Sequence, residues 1–450
     1  MGNESLLRDT PVWTAIRRLV IPSVLTILIM VIYNIADMFF IAMSGNDTQV
    51  AAVAVVGPVF SLATAAATTI GAGGCTLIAR ALGAENRERA QTLSSLCAWA
   101  ALCFGLLFTV LLQLLCSPVL LLLGATEELM GYAENYLRIL SIGTPLMLFS
   151  VSMASVIRAE GIIVPGMVSN LAGTMTNLLL DPLLILGFRM GVTGAALATV
   201  LGNLTSSVLL VLIVKRKCAV ICFTPRLAWK NITLLLPALA AGLPNGVSSV
   251  LSGLASTFSN RLLNPYGAGA IAAMAAAGRA VLVITMVQMG ICMGVSPLLS
   301  YAYGAKNLNR LRETIQKTAL LSFGFGLIAA AGCYCFRNEL LGLFLKEREN
   351  LAIGNKMLTW LVASGPFLGF YYLGSNYLQA TGRSFRATFA SVLRQGLLLI
   401  PLLYLLHGWI GLTGIAAAHT VADISAIVIS ALLCVHAGRR IQVELFYTDM

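Results

Sequence analysis

The sequence predicts an all-α integral membrane protein: twelve transmembrane helices in two parallel, pseudo-symmetric six-helix lobes. Three observations predict it. Charged residues are 10% of the 450 and hydrophobic ones 58%, with a mean hydropathy of +0.88; a soluble domain carries about 25% charged residues, and disordered chains are polar and charged. The chain divides into twelve apolar runs, each long enough for a bilayer core that needs about 20 residues. The second half repeats landmarks of the first at a constant offset.

The runs cover roughly 17–43, 51–79, 91–116, 131–156, 163–187, 192–214, 233–263, 269–299, 314–336, 354–380, 388–407 and 411–437. The first follows Arg17 and Arg18 as a signal peptide does, but it continues through Asp37 and is too long for a signal's apolar region. It is therefore read as span 1. With both termini on one side of the membrane, 20 basic residues fall on that side and 7 on the other, while Arg279 and Arg394 lie within spans. The positive-inside rule places both termini in the cytoplasm. The same rule explains the net charge of +11 and the pI near 9.3. The basic residues punctuate apolar runs and form no nucleic-acid-binding patch. The ten cysteines are scattered without a CxxC spacing, so they read as small apolar residues and not as metal ligands or a disulfide framework.

Gly83-Ala84-Glu85-Asn86 returns as Gly304-Ala305-Lys306-Asn307, and Arg158-Ala159-Glu160-Gly161 as Gln379-Ala380-Thr381-Gly382, both 221 residues later. Gly191-Val192-Thr193-Gly194 returns as Gly411-Leu412-Thr413-Gly414 at 220, and Pro22 pairs with Pro244 at 222. Six spans separate the copies, so both halves enter the membrane with the same polarity. The expected divisions are 1–214 for the N-lobe, 215–231 for a cytoplasmic linker and 232–450 for the C-lobe. Two like lobes around a midline cleft are the architecture of an alternating-access transporter. No GxxxxGK[ST] loop is present, so uphill transport would draw on an ion gradient. One charge moving through 100 mV supplies roughly 2.3 kcal/mol.

Ionisable residues within spans are functional candidates: Asp37, Asp181, Arg279, Arg394, His419 and Asp423. At 1.5 Å per residue, Asp37 lies ~27 Å along span 1, Asn177 ~20 Å and Asp181 ~26 Å along span 5, and Thr199 ~11 Å below the outer face in span 6. All four fall in the outer half of the N-lobe. Asn177 and Asp181 share a helix face, as do Tyr33 and Asp37. Two carboxylates, an amide oxygen and a hydroxyl make an all-oxygen set for Na⁺, and the same carboxylates can carry a proton. The plainer alternatives are that Asp37 marks the outer end of span 1 and that Asp181-Pro182 caps a broken helix. Asp423 is read as a structural hydrogen-bonding group. Arg279 and Arg394 either bind an anionic substrate or neutralise local polar groups, and His419 is read as an interhelical contact. Met286, Met289 and Met293 lie on one face of span 8, where they serve packing or an adaptable drug surface. Tyr371, Asn376 and Tyr377 of span 10 are further candidates for a substrate cavity.

Together, Tyr33-Asn34-Ile35-Ala36-Asp37, Asn177-x3-Asp181-Pro182 and Gly191-Val192-x-Gly194-Ala195-Ala196-x-Ala198-Thr199 resemble the multidrug and toxic compound extrusion (MATE) family. Gly71-x-Gly73-Gly74, leading to Arg80-Ala81-Leu82-Gly83-Ala84, adds to the match, which spans essentially the whole chain and is nearest the bacterial MepA-like branch. The resemblance implies export of cationic and aromatic drugs driven by inward Na⁺ or H⁺, with Asp37, Asn177, Asp181 and Thr199 as the cation site and Tyr33 beside it. It implies no enzymatic activity and no cofactor beyond the coupling ion. The branch with C-lobe acids in spans 7 and 10 has no counterpart here: span 7 offers Asn245, Ser248, Ser249 and Ser252, and span 10 Tyr371, Tyr372, Asn376 and Tyr377. Coupling is therefore expected in the N-lobe, with Pro22 as a bend that lets span 1 change shape. The expected setting is a bacterial plasma membrane. The expected partners are small-molecule drugs, organic cations and the lipid bilayer, with no nucleic acid, for a monomer. The competing readings are a flippase for lipid-linked saccharides or peptidoglycan precursors, which would need a basic cavity, and a channel, which would need a pore-lining charge ring.

Overall fold

The computed structural model describes the backbone at residues 3–42 and 47–448, and side chains at 5–30, 48–185 and 187–439. Helices make up nearly all of it, and no strand occurs among the described residues. In chain order the spans are α1 (Val12–Ala42), α2 (Asp47–Gly83), α3 (Arg87–Leu114), α4 (Glu127–Val156), α5 (Val164–Asp181) and α6 (Val192–Lys217), then α7 (Leu235–Leu263), α8 (Ala268–Gly304), α9 (Leu308–Cys335), α10 (Arg348–Ala363 and Leu368–Ala380), α11 (Ser384–Val392 and Leu399–Ile410) and α12 (Leu412–Thr448). Ten of these are long and apolar enough to cross a membrane. The other two, α5 and α10, are shortened by breaks with a local cause. Pro182 ends the regular ladder of α5, which passes into a π turn at Pro182–Gly187. Pro366 lies in the 3-10 turn Gly365–Phe367 that divides α10. A second π turn, Leu393–Leu397, interrupts α11.

The helices gather into two compact units. One comprises Met1–Asp9 and Leu25–Gly242, the other Thr10–Val24 and Leu243–Met450. The chain therefore changes units inside α1, two residues after Pro22, and inside α7, two residues before Pro244. The stretch 215–231 belongs to the first unit, together with the opening turns of α7.

In the first unit α4 is the central helix. Its membrane window is 72% buried, against 39% or less for the other nine long spans, because α2, α3 and α6 all pack on it. Close approach requires glycine at two places: a Cβ on Gly73 would overlap the Ala238 carbonyl, and one on Gly242 the Thr69 carbonyl. Small residues let two backbones meet in this way inside a bilayer, where apolar burial gives no preference for helix over lipid. The connection after α6 is tied down by polar groups. The buried Glu160 carboxylate accepts the backbone N–H groups of Ala219, Val220 and Ile221 at 3.0, 2.8 and 2.7 Å. Ser95 Oγ donates to the Cys222 carbonyl at 3.0 Å and accepts from the Thr224 N–H at 3.1 Å, and Trp99 Nε1 donates to the Phe223 carbonyl at 3.3 Å. Burial, with the Glu160 carboxylate nearby, pushes the Cys218 thiol up to about 12.

In the second unit α8 is packed by α9 and by both arms of α10, while α12 lies against α10 and α11. The Leu19–Ser23 segment of α1 sits on Gly294 of α8, where a Cβ would come within 2.9 Å of both the Leu19 carbonyl and Ser23 Oγ. Ser23 Oγ donates to that carbonyl at 2.8 Å.

The internal repeat is reproduced in detail. Glu85 and Lys306 both adopt a left-handed conformation, with φ of 57° and 55°. Asn86 caps α3 by accepting from the Arg89 N–H at 2.9 Å, and Asn307 caps α9 by accepting from the Arg310 N–H at 2.9 Å. Gly161 and Gly382 share a φ of 78°.

Candidate functional site

The buried face of α5 consists of Gly166, Ser169, Gly173, Asn177 and Asp181, a stripe at intervals of three and four residues. It lies along α6. Ser169 Oγ donates to the Ser206 carbonyl at 2.7 Å, Gly173 and Gly202 meet backbone to backbone, and Asn177 Nδ2 donates to Thr199 Oγ1 at 3.3 Å. Thr199 in turn donates its hydroxyl hydrogen to the Ala195 carbonyl at 3.0 Å. Asn177 is 2% exposed and Asp181 0%, and Asn177 Oδ1 has no hydrogen-bond partner. Three of the four residues expected at the cation site are thus brought to one interface of the first unit. Asp37 and Tyr33 lie on α1, but their side chains fall outside the described residues.

Chemically, the interface offers oxygen. An unpaired amide acceptor one turn from a buried carboxylate fits a monovalent cation or a proton, because each supplies the positive charge or donor that the amide oxygen lacks. Neither α5 nor α6 contains a basic residue before Lys215. Among the described residues no three His, Cys, Asp or Glu side chains come together, so no transition-metal centre is formed there.

The remaining candidates, Pro22 included, fall in the second unit. Pro22 sits within α1 beside the Gly294 contact. Met286, Met289 and Met293 are half-buried along α8, while Val287, Gln288, Ile291 and Cys292 form its buried side. Tyr371 and Tyr377 are buried, at 2% and 9% exposure. Tyr371 donates to Ser391 Oγ at 3.2 Å, and Asn376 Nδ2 donates to the Cys292 carbonyl at 2.8 Å. Tyr371 and Asn376 thus bind α10 to α11 and α8.

The pairing that sequence reasoning missed is between Arg394 and Asp423. Arg394 Nε donates to Asp423 Oδ1 at 2.7 Å, with the side chains 8% and 18% exposed. Ser364 Oγ donates to Asp423 Oδ2 at 3.1 Å. The guanidinium carbon lies 4.7 Å from the Tyr371 ring centre and 5.3 Å from that of Tyr372. His419, one turn earlier on α12, meets Ser259 Oγ at 3.3 Å. Arg279 lies over the Phe344 ring at 5.7 Å. The available signal was that consecutive spans carry intramembrane charges of opposite sign.

A model of the MatE family matches the chain twice, at residues 22–183 and again at 244–405. The chain belongs to the MatE family. The two matched stretches are offset by 222 residues, which is the register of Pro22 and Pro244. The Staphylococcus aureus multidrug export protein MepA is 28% identical over 442 residues, covering 98% of this MatE chain and 97% of that protein. The MepA of Staphylococcus saprophyticus is 28% identical over 417 residues, or 92% of each. A MATE protein in a bent conformation superposes with a TM-score of 0.92 at 23% identity over the whole of both chains. The Vibrio cholerae MATE transporter VcmN gives 0.88 at 25% identity, covering 97% of this chain and 98% of its own. This MatE protein is a multi-span membrane transporter and not an enzyme.

Proposed function

We propose that this MatE transporter exports drugs from the cell by antiport against Na⁺ or H⁺, in a bacterial plasma membrane with both termini in the cytoplasm. Asp37, Asn177, Asp181 and Thr199 take up the coupling ion, and Tyr33 lies beside them on α1. The observation that carries the proposal is the buried Asn177 Oδ1, an acceptor without a donor, one turn from Asp181 and joined through Asn177 Nδ2 to Thr199. The relatives named as multidrug export proteins support diverse organic compounds as the cargo.

An antiporter works only if its ion favours one open state over another, and a ligand does this by binding one state more tightly. Carboxylates in a water-poor site give the largest such difference, because an unneutralised charge there is costly. The flippase alternative loses its chief support, since Arg394 is engaged by Asp423 and Arg279 lies over an aromatic ring.

Ethidium efflux from reconstituted vesicles, under a pure Na⁺ gradient and then a pure pH gradient, tests the proposal and identifies the ion. Asp37→Asn and Asp181→Asn are each expected to abolish gradient-driven extrusion with membrane insertion intact. Extrusion at the parent rate by both variants would overturn the assignment.

A further inference from the structure

The two units treat their buried acids differently. In the first, Asn177 and Asp181 share the buried face of α5, and neither α5 nor α6 carries a basic residue before Lys215. In the second, the one acid within the membrane-spanning stretches of α11 and α12 (384–410 and 412–439), Asp423, already holds a cation. Arg394 reaches it from the π turn Leu393–Leu397, where an extra residue per turn locally alters the direction of the side chains. The internal repeat shows how the lobes diverged: at an offset of 221, Arg394 corresponds to Gly173, and at 220 Asp423 corresponds to Asn203. Both N-lobe counterparts are neutral.

The surroundings of the guanidinium are those of a cation-binding cage. A carboxylate oxygen lies at 2.7 Å, the Tyr372 hydroxyl accepts from Nη1 at 3.4 Å, and the rings of Tyr371 and Tyr372 stand at 4.7 and 5.3 Å. Aromatic faces and a carboxylate are how proteins capture free organic cations. Here the captured cation is covalently attached.

We infer that Arg394 is a resident counter-ion: it fills the C-lobe site at which Asp423 would otherwise take up a mobile monovalent cation. This inference rests on the transport reading above. A guanidinium does not lose its proton in a protein and cannot leave its tether. A cation that is always present shifts no equilibrium between transporter states. Arg394 therefore silences the C-lobe acid and confines ion exchange to the N-lobe, which fixes the coupling ratio at one ion-binding region per chain. Removing the guanidinium while keeping Asp423 should expose a second cation site, walled by Ser364 and the two tyrosines.

The test compares the thermal unfolding midpoint of detergent-purified parent, Arg394→Gln and Arg394→Gln/Asp423→Asn across NaCl concentrations at constant ionic strength, and across pH. The groups facing Asp423 are Arg394 from α11, Tyr371 and Tyr372 from α10, Ser364 from the break between the arms of α10, and His419 on α12 itself. Asp423 and Arg394 both act electrostatically on His419, so the pH series is run with His419→Gln in all three proteins. Arg394→Gln should gain a stabilisation by Na⁺ or by protons beyond the one the N-lobe site gives the parent, and the double variant should lose that increment again. No gain in Arg394→Gln, or a gain that persists in the double variant, would overturn the inference.

A second measurement needs no variant. Radiolabelled sodium binding, or proton release on ethidium addition, should count one coupling region per chain in the parent, lost entirely in Asp181→Asn. Ion binding that survives Asp181→Asn would also overturn the inference. Absence of any ion uptake by the parent would overturn the exporter reading instead, and the unfolding comparison would still decide on Arg394.

Discussion

Asn177 and Asp423 show how differently two buried polar groups are handled in one chain. Asn177 keeps an acceptor unpaired at 2% exposure, which is tolerated in a folded protein chiefly where a ligand completes the site. Thr199 contributes a neutral oxygen to that interface, so Thr199→Ala should weaken ion-driven ethidium efflux by several-fold without abolishing it, as read from initial rates in vesicles. Asp423 has both oxygens occupied, by Arg394 and Ser364. Asp423→Asn strands a buried guanidinium, and breaking a buried pair costs about 3–5 kcal/mol. A clear fall in the unfolding midpoint is expected, and an unchanged midpoint would mean the pair contributes nothing. From the sequence, Asn177, Asp181 and Thr199 were legible because four-residue spacing and span depth are one-dimensional facts. The Arg394–Asp423 pair was not, because its members are 29 residues apart and the rotation of each helix about its axis is not written in a hydropathy pattern. The sequence reading of Asp423 as a hydrogen-bonding group captured its acceptor role and missed its charge partner.

At the level of elements, all twelve spans were visible as apolar runs, since length and hydropathy suffice to mark a helix that must satisfy its own backbone in lipid. What escaped were the π turn in α11 and the unit boundary within α1, because both depend on packing against helices distant in sequence. Pro22 lies two residues before that boundary and removes a backbone donor where the helix passes from one packing environment to another. Pro22→Ala should slow ethidium turnover several-fold while leaving equilibrium drug affinity within about twofold; unchanged turnover would remove the hinge. The connection after α6 offers a chemical readout. Burial and the Glu160 carboxylate keep the Cys218 thiol at about 12, far above neutral pH, so little thiolate is present. In a variant retaining Cys218 as its single cysteine, maleimide labelling should be slow at pH 7. Glu160→Gln removes the negative charge, lowers the thiol's pKa and frees the chain at 219–221, so labelling should accelerate at least tenfold. Equal rates would show that the carboxylate does not hold this segment.

For the whole molecule, the duplication gives each unit the same cap geometry at Asn86 and Asn307 while leaving the buried charges unequal. Architecture repeats and chemistry does not. The proposed orientation rests on the 20-to-7 distribution of basic residues. A cysteine introduced near Lys346 should react with an impermeant reagent applied to intact cells, and labelling only after permeabilisation would reverse the topology. The docking of Leu19–Ser23 on Gly294 also has a consequence in time. Synthesis proceeds at about 5–20 residues per second, so roughly 270 residues separate the emergence of this segment from that of its partner. For a quarter to most of a minute the opening of α1 resides in the membrane with its packing surface uncovered. The growing chain in that interval is a distinct species, open to capture by membrane chaperones and proteases until α8 has been made.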